Sequence, residues 1–273
     1  MDTLRLLDLV AIAASALIVV LLPVECWRYR RQSRLDREHV LEMLASASPF
    51  VPTVLMAPLV TAFIAALWGG AARLAPWSIP TTGWTALLAL LAVDFLYYWD
   101  HRAAHRVRLI WAVAHSVHHS SPLYNQAVGL RVSFVDGFTS PWFYLPAILV
   151  GFDPLLVAGA FGVILAYQQW LHTETVGKLP WLDGWLNTPS NHRVHHGVQA
   201  PYIDRNYGAV LMLWDRLFGT YAAEDEPVRY GLTEPLASRH PLRVHAAEAV
   251  KLWHDLHRAP CWRDRVQMLV SPP

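Results

Sequence analysis

Histidine is the residue type in this chain whose spacing most plainly offers chemistry. It recurs as His101-x-x-x-His105, His115-x-x-His118-His119 and His192-x-x-His195-His196. On a helix, residues three and four apart share one face, so each cluster would aim its imidazoles in a single direction. Crowded imidazoles repel one another when protonated and waste polar groups when buried unpaired. A transition metal removes both problems, because neutral imidazole is a good ligand for iron, zinc, copper or nickel. Eight boxed histidines, with His172 as a ninth, exceed what one ion needs and suit two. Paired ions about 3.5 to 4 Å apart are an established catalytic arrangement.

The plainer alternative is that the histidines are surface residues. A lone His-x-x-x-His is common by chance, so His101 and His105 alone would carry little weight. Two copies of His-x-x-His-His are hard to explain that way. His172 has no cluster of its own and counts as a ligand because of where it falls. His39, His240, His245, His254 and His257 are read as ordinary solvated histidines. Thr188-Pro189-Ser190-Asn191 offers helix N-cap chemistry just before His192.

The elements that must position these clusters look membrane-bound. Of 273 residues, 54% are hydrophobic and 16% charged, and mean hydropathy is +0.26. A soluble domain is about a quarter charged. A crossing helix needs about 20 mainly apolar residues. Leu6 to Val24 fits, and the arginines that follow it (Arg28, Arg30, Arg31, Arg34, Arg37) favour the cytoplasmic side. The apolar run precedes its basic residues and lacks a small-residue cleavage site, so it reads as an anchor instead of a signal peptide. A second span over 50–74 and a third over 83–99 would follow, linked through Pro76 and Pro80. The segments 138–151 and 155–171 form an in-and-out membrane hairpin that turns at Phe152-Asp153-Pro154. Counting crossings puts every histidine cluster on the cytoplasmic face.

The expected fold is therefore an all-α integral membrane protein. It has four to five transmembrane or re-entrant helices and a cytoplasmic helical cap carrying a histidine-rich di-metal site. Residues 1–93 form the N-terminal spans, 94–230 a histidine-box catalytic domain, and 231–273 a cytoplasmic tail. Within the tail, Pro241 to His257 would lie as an amphipathic helix on the membrane surface. Asp94 stands seven residues before His101 in an apolar span, where a carboxylate is costly without a partner. It is expected to accept the outer N–H of a histidine ligand. The other reading pairs it with Arg102 or a tyrosine. Tyr97, Tyr98 and Trp99 read as interface anchors. Cys26 and Cys261 have no metal or redox spacing, which fits a reducing compartment. A net charge of +1 gives no field to attract nucleic acid.

These strings resemble the fatty acid hydroxylase superfamily, which includes the sterol desaturases. The resemblance is carried by Asp94-Phe95-Leu96-Tyr97-Tyr98-Trp99-Asp100-His101-Arg102-x-x-His105 and Trp111-x-x-x-His115-x-x-His118-His119-Ser120-Ser121. It continues in Thr188-Pro189-Ser190-Asn191-His192-Arg193-x-His195-His196-Gly197, Asp204-x-Asn206-Tyr207-Gly208 and Trp214-Asp215-Arg216-Leu217-Phe218-Gly219-Thr220. The Tyr124-Asn125 pair, Gln169 to Thr173 and Tyr230 to Thr233 look most like its alkylglycerol monooxygenase group. That group cleaves ether lipids with a pterin reductant. Some relatives carry a further histidine four residues before His172, where this chain has Gln168. Gln168 and Asn191 accordingly join Asp94 as residues expected to support the ligands.

The resemblance implies two iron ions, O₂ activation and hydroxylation of a lipid C–H bond. Desaturation at the same site is the alternative outcome. The substrate would be a fatty acyl, sterol or ether lipid. Electrons would come from an external donor such as a pterin or an electron-transfer partner. Zinc could replace iron on expression. Readings from other classes are a zinc-dependent membrane hydrolase and a non-catalytic lipid- or metal-binding membrane protein. Gly-x-Ser-x-Gly, a Gly-rich phosphate loop and His-Glu-x-x-His are all missing from the sequence, so hydrolytic and nucleotide chemistries lack support. Arginine-rich, lysine-poor usage suggests a bacterial inner membrane.

Overall fold

In the computed structural model, which describes residues 16–273 together with Arg5, Leu9 and Ile12, the chain is helical. Among the described residues its β-structure is one isolated bridge, Leu186 to Leu211. Most of the expected first span lies outside the described residues. Its end appears as α1 (Leu17–Arg31), which finishes on Arg28, Arg30 and Arg31, where cations suit the helix dipole. Asp36 then caps α2 (Arg37–Ala47) by accepting the His39 N–H at 2.8 Å.

α2 runs on into α3 (Phe50–Ala72). Together they are the one helical run among the described residues long and apolar enough to cross a bilayer, and its most apolar stretch is wholly unburied. Burying apolar surface is worth about 25 cal/mol per Å², so an uncovered apolar helix of this length suits lipid better than water. α4 (Gly83–Arg106) starts at a capping box, with Thr82 and Thr85 each bonding the other's backbone N–H. It runs two turns past the expected end of the third span and carries His101 and His105 on those turns.

The first limb of the expected hairpin is not one helix. It breaks into Asp136–Thr139, a 3₁₀ turn over Ser140–Tyr144 and a short helix over Leu145–Leu149. Pro141 and Pro146 explain the breaks, since proline gives no N–H to a continuing helix. The returning limb is regular: α5 (Pro154–Tyr167), capped by Asp153 on the Leu155 N–H at 2.7 Å. The hairpin turn meets the link after α3, where Trp77 Nε1 donates to the Val150 carbonyl at 2.6 Å and Ile79 N to Gly151 at 2.8 Å. The histidine-bearing ends of α4 and of the hairpin lie together at the other end. Ala86, Ala89 and Val93 of α4 meet Leu156, Val157 and Ala160 of α5 in one apolar core with Trp68, Tyr144 and Ile148. Small residues there let the two helices approach closely.

The expected helical cap is mostly irregular chain. Between Thr173 and His240 its helices are α6 (Pro189–His195) and a single turn over Leu213–Leu217. The rest is tied by side chains that take up backbone groups, notably Asp183, Asn187, Asn206 and Asp215. The tail forms α7 (Pro241–Arg258) and α8 (Trp262–Val270). Val244 and Leu252 of α7 are buried, while Leu242, Val250 and Trp253 are exposed. This is the two-faced character expected of Pro241 to His257, with the inner face packed against the turn over Trp111–His115.

Candidate metal centre

Each histidine cluster occupies a short, locally determined piece of helix. His101 and His105 share a face of α4. After the break at Val107 comes a single π-helical turn, Trp111–His115, followed by a helical turn over Ser116–His119. π-turns of this kind concentrate at functional sites because they reset which residues share a face. The third cluster lies on α6, where Thr188 accepts the Asn191 N–H at 3.4 Å and Pro189 opens the helix. His172 is on no helix; it follows the 3₁₀ turn over Gln168–Trp170 that ends the hairpin.

All nine predicted histidines come together, sorted into two adjacent groups. His101, His105, His115, His119 and His195 form one, and His118, His172, His192 and His196 the other; within each, one ring nitrogen per residue lies within 4.8 Å of every other. The boxes divide between the groups. The i and i+4 rings of the second box (His115, His119) join the five-histidine group, and its i+3 ring (His118) joins the four. The third box does the reverse: His192 and His196 join the four, and His195 the five. The two groups touch where His119 stacks on His196, with centroids 4.2 Å apart. His39, His240, His245, His254 and His257 belong to neither group.

The rings are set for cations. Nδ1 of His101 donates to the Tyr207 carbonyl at 2.9 Å, Nδ1 of His195 to Arg205 at 3.0 Å, and Nδ1 of His118 to Arg131 at 3.3 Å. A carbonyl only accepts, so in these three rings Nδ1 carries the proton and Nε2 offers its lone pair inward. Nε2 of His101 faces Nε2 of His115 at 3.1 Å, and Nε2 of His172 faces those of His118 and His192 at 3.2 and 3.0 Å. Nε2 of His105, His119, His195 and His196 is buried with no hydrogen-bond partner. Orphaned buried nitrogens in such number are costly, and cations placed between them satisfy them. Burial first, and neighbouring imidazoles second, hold His105, His119 and His196 well below the ordinary histidine range. Burial pushes His101 and His118 down to about 4. The rings are thus neutral at pH 7, the form that binds metal. A cavity of about 140 Å³ reaches His105, His119, His195 and His196 past Trp111, Ile203 and Leu232.

Of the three residues expected to support the ligands, Asp94 does so differently from expectation. The Asp94 side chain makes no hydrogen bond to a histidine, to Arg102 or to a tyrosine. Its carboxylate accepts Val210 N at 2.9 Å, Leu211 N at 3.3 Å and Trp214 Nε1 at 2.8 Å. It anchors the loop that brings the Tyr207 carbonyl to His101, one step behind the ligand. Gln168 accepts from Tyr97 at 2.9 Å, and the Tyr97 ring packs on His101. Asn191 Nδ2 donates to the Asp183 and Leu186 carbonyls and so locks the start of α6. Helical spacing alone could not show that Asp94 would find two backbone N–H groups and an indole N–H in place of a ring. Nor are all three aromatics of α4 surface anchors: Tyr98 is fully buried and bonds Thr220 and Arg102.

Several residues that matter have no role assigned from the sequence. Asp215 accepts Tyr207 N, Gly208 N and Thr220 Oγ1 at 2.7 to 2.8 Å and shapes the same loop. A Cβ at Gly208 would lie 2.6 Å from the Leu211 carbonyl oxygen, so glycine is required there. Arg131, whose carbonyl serves His118, is buried and paired with Glu42 of α2 at 2.9 Å. The signal for that pair was a lone arginine between apolar stretches, with its partner 89 residues away.

Fold and site together define a helical histidine-box protein whose clusters are consistent with a metal site. The fatty acid hydroxylase family model matches residues 86–220, which hold all nine clustered histidines. The chain belongs to that family. It is similar to the alkylglycerol monooxygenase of Xenopus tropicalis, 35% identical over 94% of this chain and 57% of the relative. It is also similar to the human alkylglycerol monooxygenase, 42% identical over 72% of this chain and 43% of the relative. The ornithine lipid hydroxylase of Rhizobium tropici is 33% identical over 52% of this chain and 43% of its own length. The chain thus spans about half the length of these curated relatives. No solved structure matches it.

Proposed function

We propose that this chain is an integral-membrane oxidoreductase that hydroxylates a C–H bond of a lipid at a pair of iron ions held by His101, His105, His115, His119 and His195 and by His118, His172, His192 and His196. The carrying observation is the double group of neutral imidazoles, four of whose inward nitrogens are buried without a partner while the others face one another. The names of the similar proteins, monooxygenases and a lipid hydroxylase, support the reaction class. Iron would supply the redox chemistry that O₂-dependent C–H oxidation needs and that redox-inert zinc would not. The carbonyls of Tyr207, Arg205 and Arg131 hold three rings in the ligating tautomer. The small cavity beside His119 and His196 gives O₂ an approach to both groups. Electrons come from an external reductant, for which a reduced pterin is the first candidate. Desaturation is the second outcome of the same site.

The arrangement in the membrane belongs to the same proposal. Residues 1–93 contribute spans, 94–230 the catalytic unit with its 138–171 hairpin, and 231–273 a cytoplasmic tail. The histidines face the cytoplasm of a bacterial inner membrane. Lipidomics of cells with and without the chain tests the reaction, with His195→Ala as the control. A lipid gaining one oxygen supports hydroxylation, and one losing two hydrogens supports desaturation. An unchanged lipid profile together with iron-free purified protein would sink the proposal.

A further inference from the structure

His172 is the odd member of the double group. It has no histidine three or four residues away, lies outside any helix, and its Nδ1 is buried with no partner. The Gln168 carbonyl, one turn earlier, approaches this ring without making the hydrogen bond that carbonyls make to His101, His195 and His118. Something else must hold this ring, because a ligand on irregular chain would otherwise keep its rotamer freedom.

The neighbours of His172 are held on both sides. The Leu171 carbonyl accepts from Tyr124 OH at 3.1 Å, and the Thr173 carbonyl accepts from Arg193 Nη1 at 2.9 Å. The Thr173 hydroxyl donates to Glu25 of α1, a residue 148 positions earlier. The other oxygen of Glu25 accepts Gln126 N at 2.7 Å. Gln126 opens the 3₁₀ turn Gln126–Leu130. In that turn lies Gly129, where a Cβ would stand 3.2 Å from Nδ1 of His172. One carboxylate therefore grips the chain just after the ring and the turn packed against its face. The same turn leads into Arg131, whose carbonyl takes Nδ1 of His118. Glu25 is 2% exposed and also receives Tyr29 OH at 3.4 Å. Its contacts lead to the four-histidine group, and none is with a ring of the other five.

We infer that Glu25 is a positioning residue for His172, and that through it the N-terminal helix controls occupancy of the four-histidine group alone. This rests on the two-ion reading above. The test uses the full-length purified chain, iron per chain by elemental analysis, and a competition titration against a chromophoric chelator. Wild type should hold two ions. Glu25→Ala and Thr173→Val should keep one and bind the second about 10- to 100-fold more weakly, the range found when residues behind ligands are removed. Thr173→Ser should restore it, because only the hydroxyl is needed. Should Glu25→Ala fail to fold, the Thr173 pair decides. Wild-type affinity for both ions in Thr173→Val, or equal weakening of both ions, would overturn the inference. A wild-type chain that binds no iron or zinc would instead overturn the two-ion reading, and this inference with it.

Discussion

The two histidine groups are chemically alike but assembled differently. The five-histidine group takes four of its rings from i, i+4 pairs, His101 with His105 and His115 with His119. Backbone periodicity alone aligns such pairs. The four-histidine group has one such pair, His192 with His196, and depends on two single rings, His118 and His172. Those two are held by long-range contacts: Arg131 with Glu42, and the Glu25 to Thr173 link. The five-histidine group draws most of its rings from local helix pairs, with the distant Tyr207 carbonyl steadying His101, while half of the four-histidine group rests on rings that have no such pair. The difference teaches that donors equivalent in sequence need not be equally secure.

This contrast can be broken most directly at the ligands. His192→Ala leaves three donors in its group and His101→Ala leaves four in the other. Both should lower turnover by more than about 100-fold, exceeding the loss typical for residues behind ligands. Metal analysis should find His192→Ala short of one ion under conditions where His101→Ala retains both. Equal retention in the two variants would erase the distinction.

Arg131→Ala should come next. It removes the buried partner of Glu42, whose carboxylate keeps Arg239 at 3.0 Å and Ser121 at 3.1 Å, and breaking a buried pair costs up to about 3–5 kcal/mol. Denaturant unfolding in detergent should register that loss. A loss below about 1 kcal/mol would show the pair to be marginal. Asp94→Ala should weaken metal binding about 10- to 100-fold in the five-histidine group, because the Tyr207 loop loses its anchor. Normal metal content and activity would reject that role.

The smallest effect tests the asymmetry itself. Gln168 stands four residues before His172, the spacing that pairs rings elsewhere, and is buried with its side chain on Tyr97. Gln168→His should raise the affinity of the weaker ion by a few fold, about 1 kcal/mol or less for one added neutral donor. A chelator titration would detect it. No change, or a loss, would show that the Tyr97 contact matters more than a fifth ring.

Much of the site was legible because its information is local. Box spacings, the cap before His192 and the apolar run of α3 each depend on a few neighbouring residues. The break in the 138–151 limb was less visible, although Pro141 and Pro146 were in view, because apolar composition outweighed them. Asp94 was noticed but misassigned. Spacing placed it near the helix face of His101, yet the loop 116 to 120 residues further on supplied three better donors. Glu25 carried no local pattern, and Arg131 only that of a lone arginine between apolar stretches.

The amino-acid sequence by itself determined the donor set, its division into boxes, and the neutral imidazole chemistry that follows from crowding. Only the tertiary structure decided which ring joins which group, which carbonyls hold the tautomers, and how an isolated histidine finds its place. The reason is physical. Helical periodicity acts over one or two turns, whereas burying a polar group obliges it to find any partner within reach, however far away in the chain.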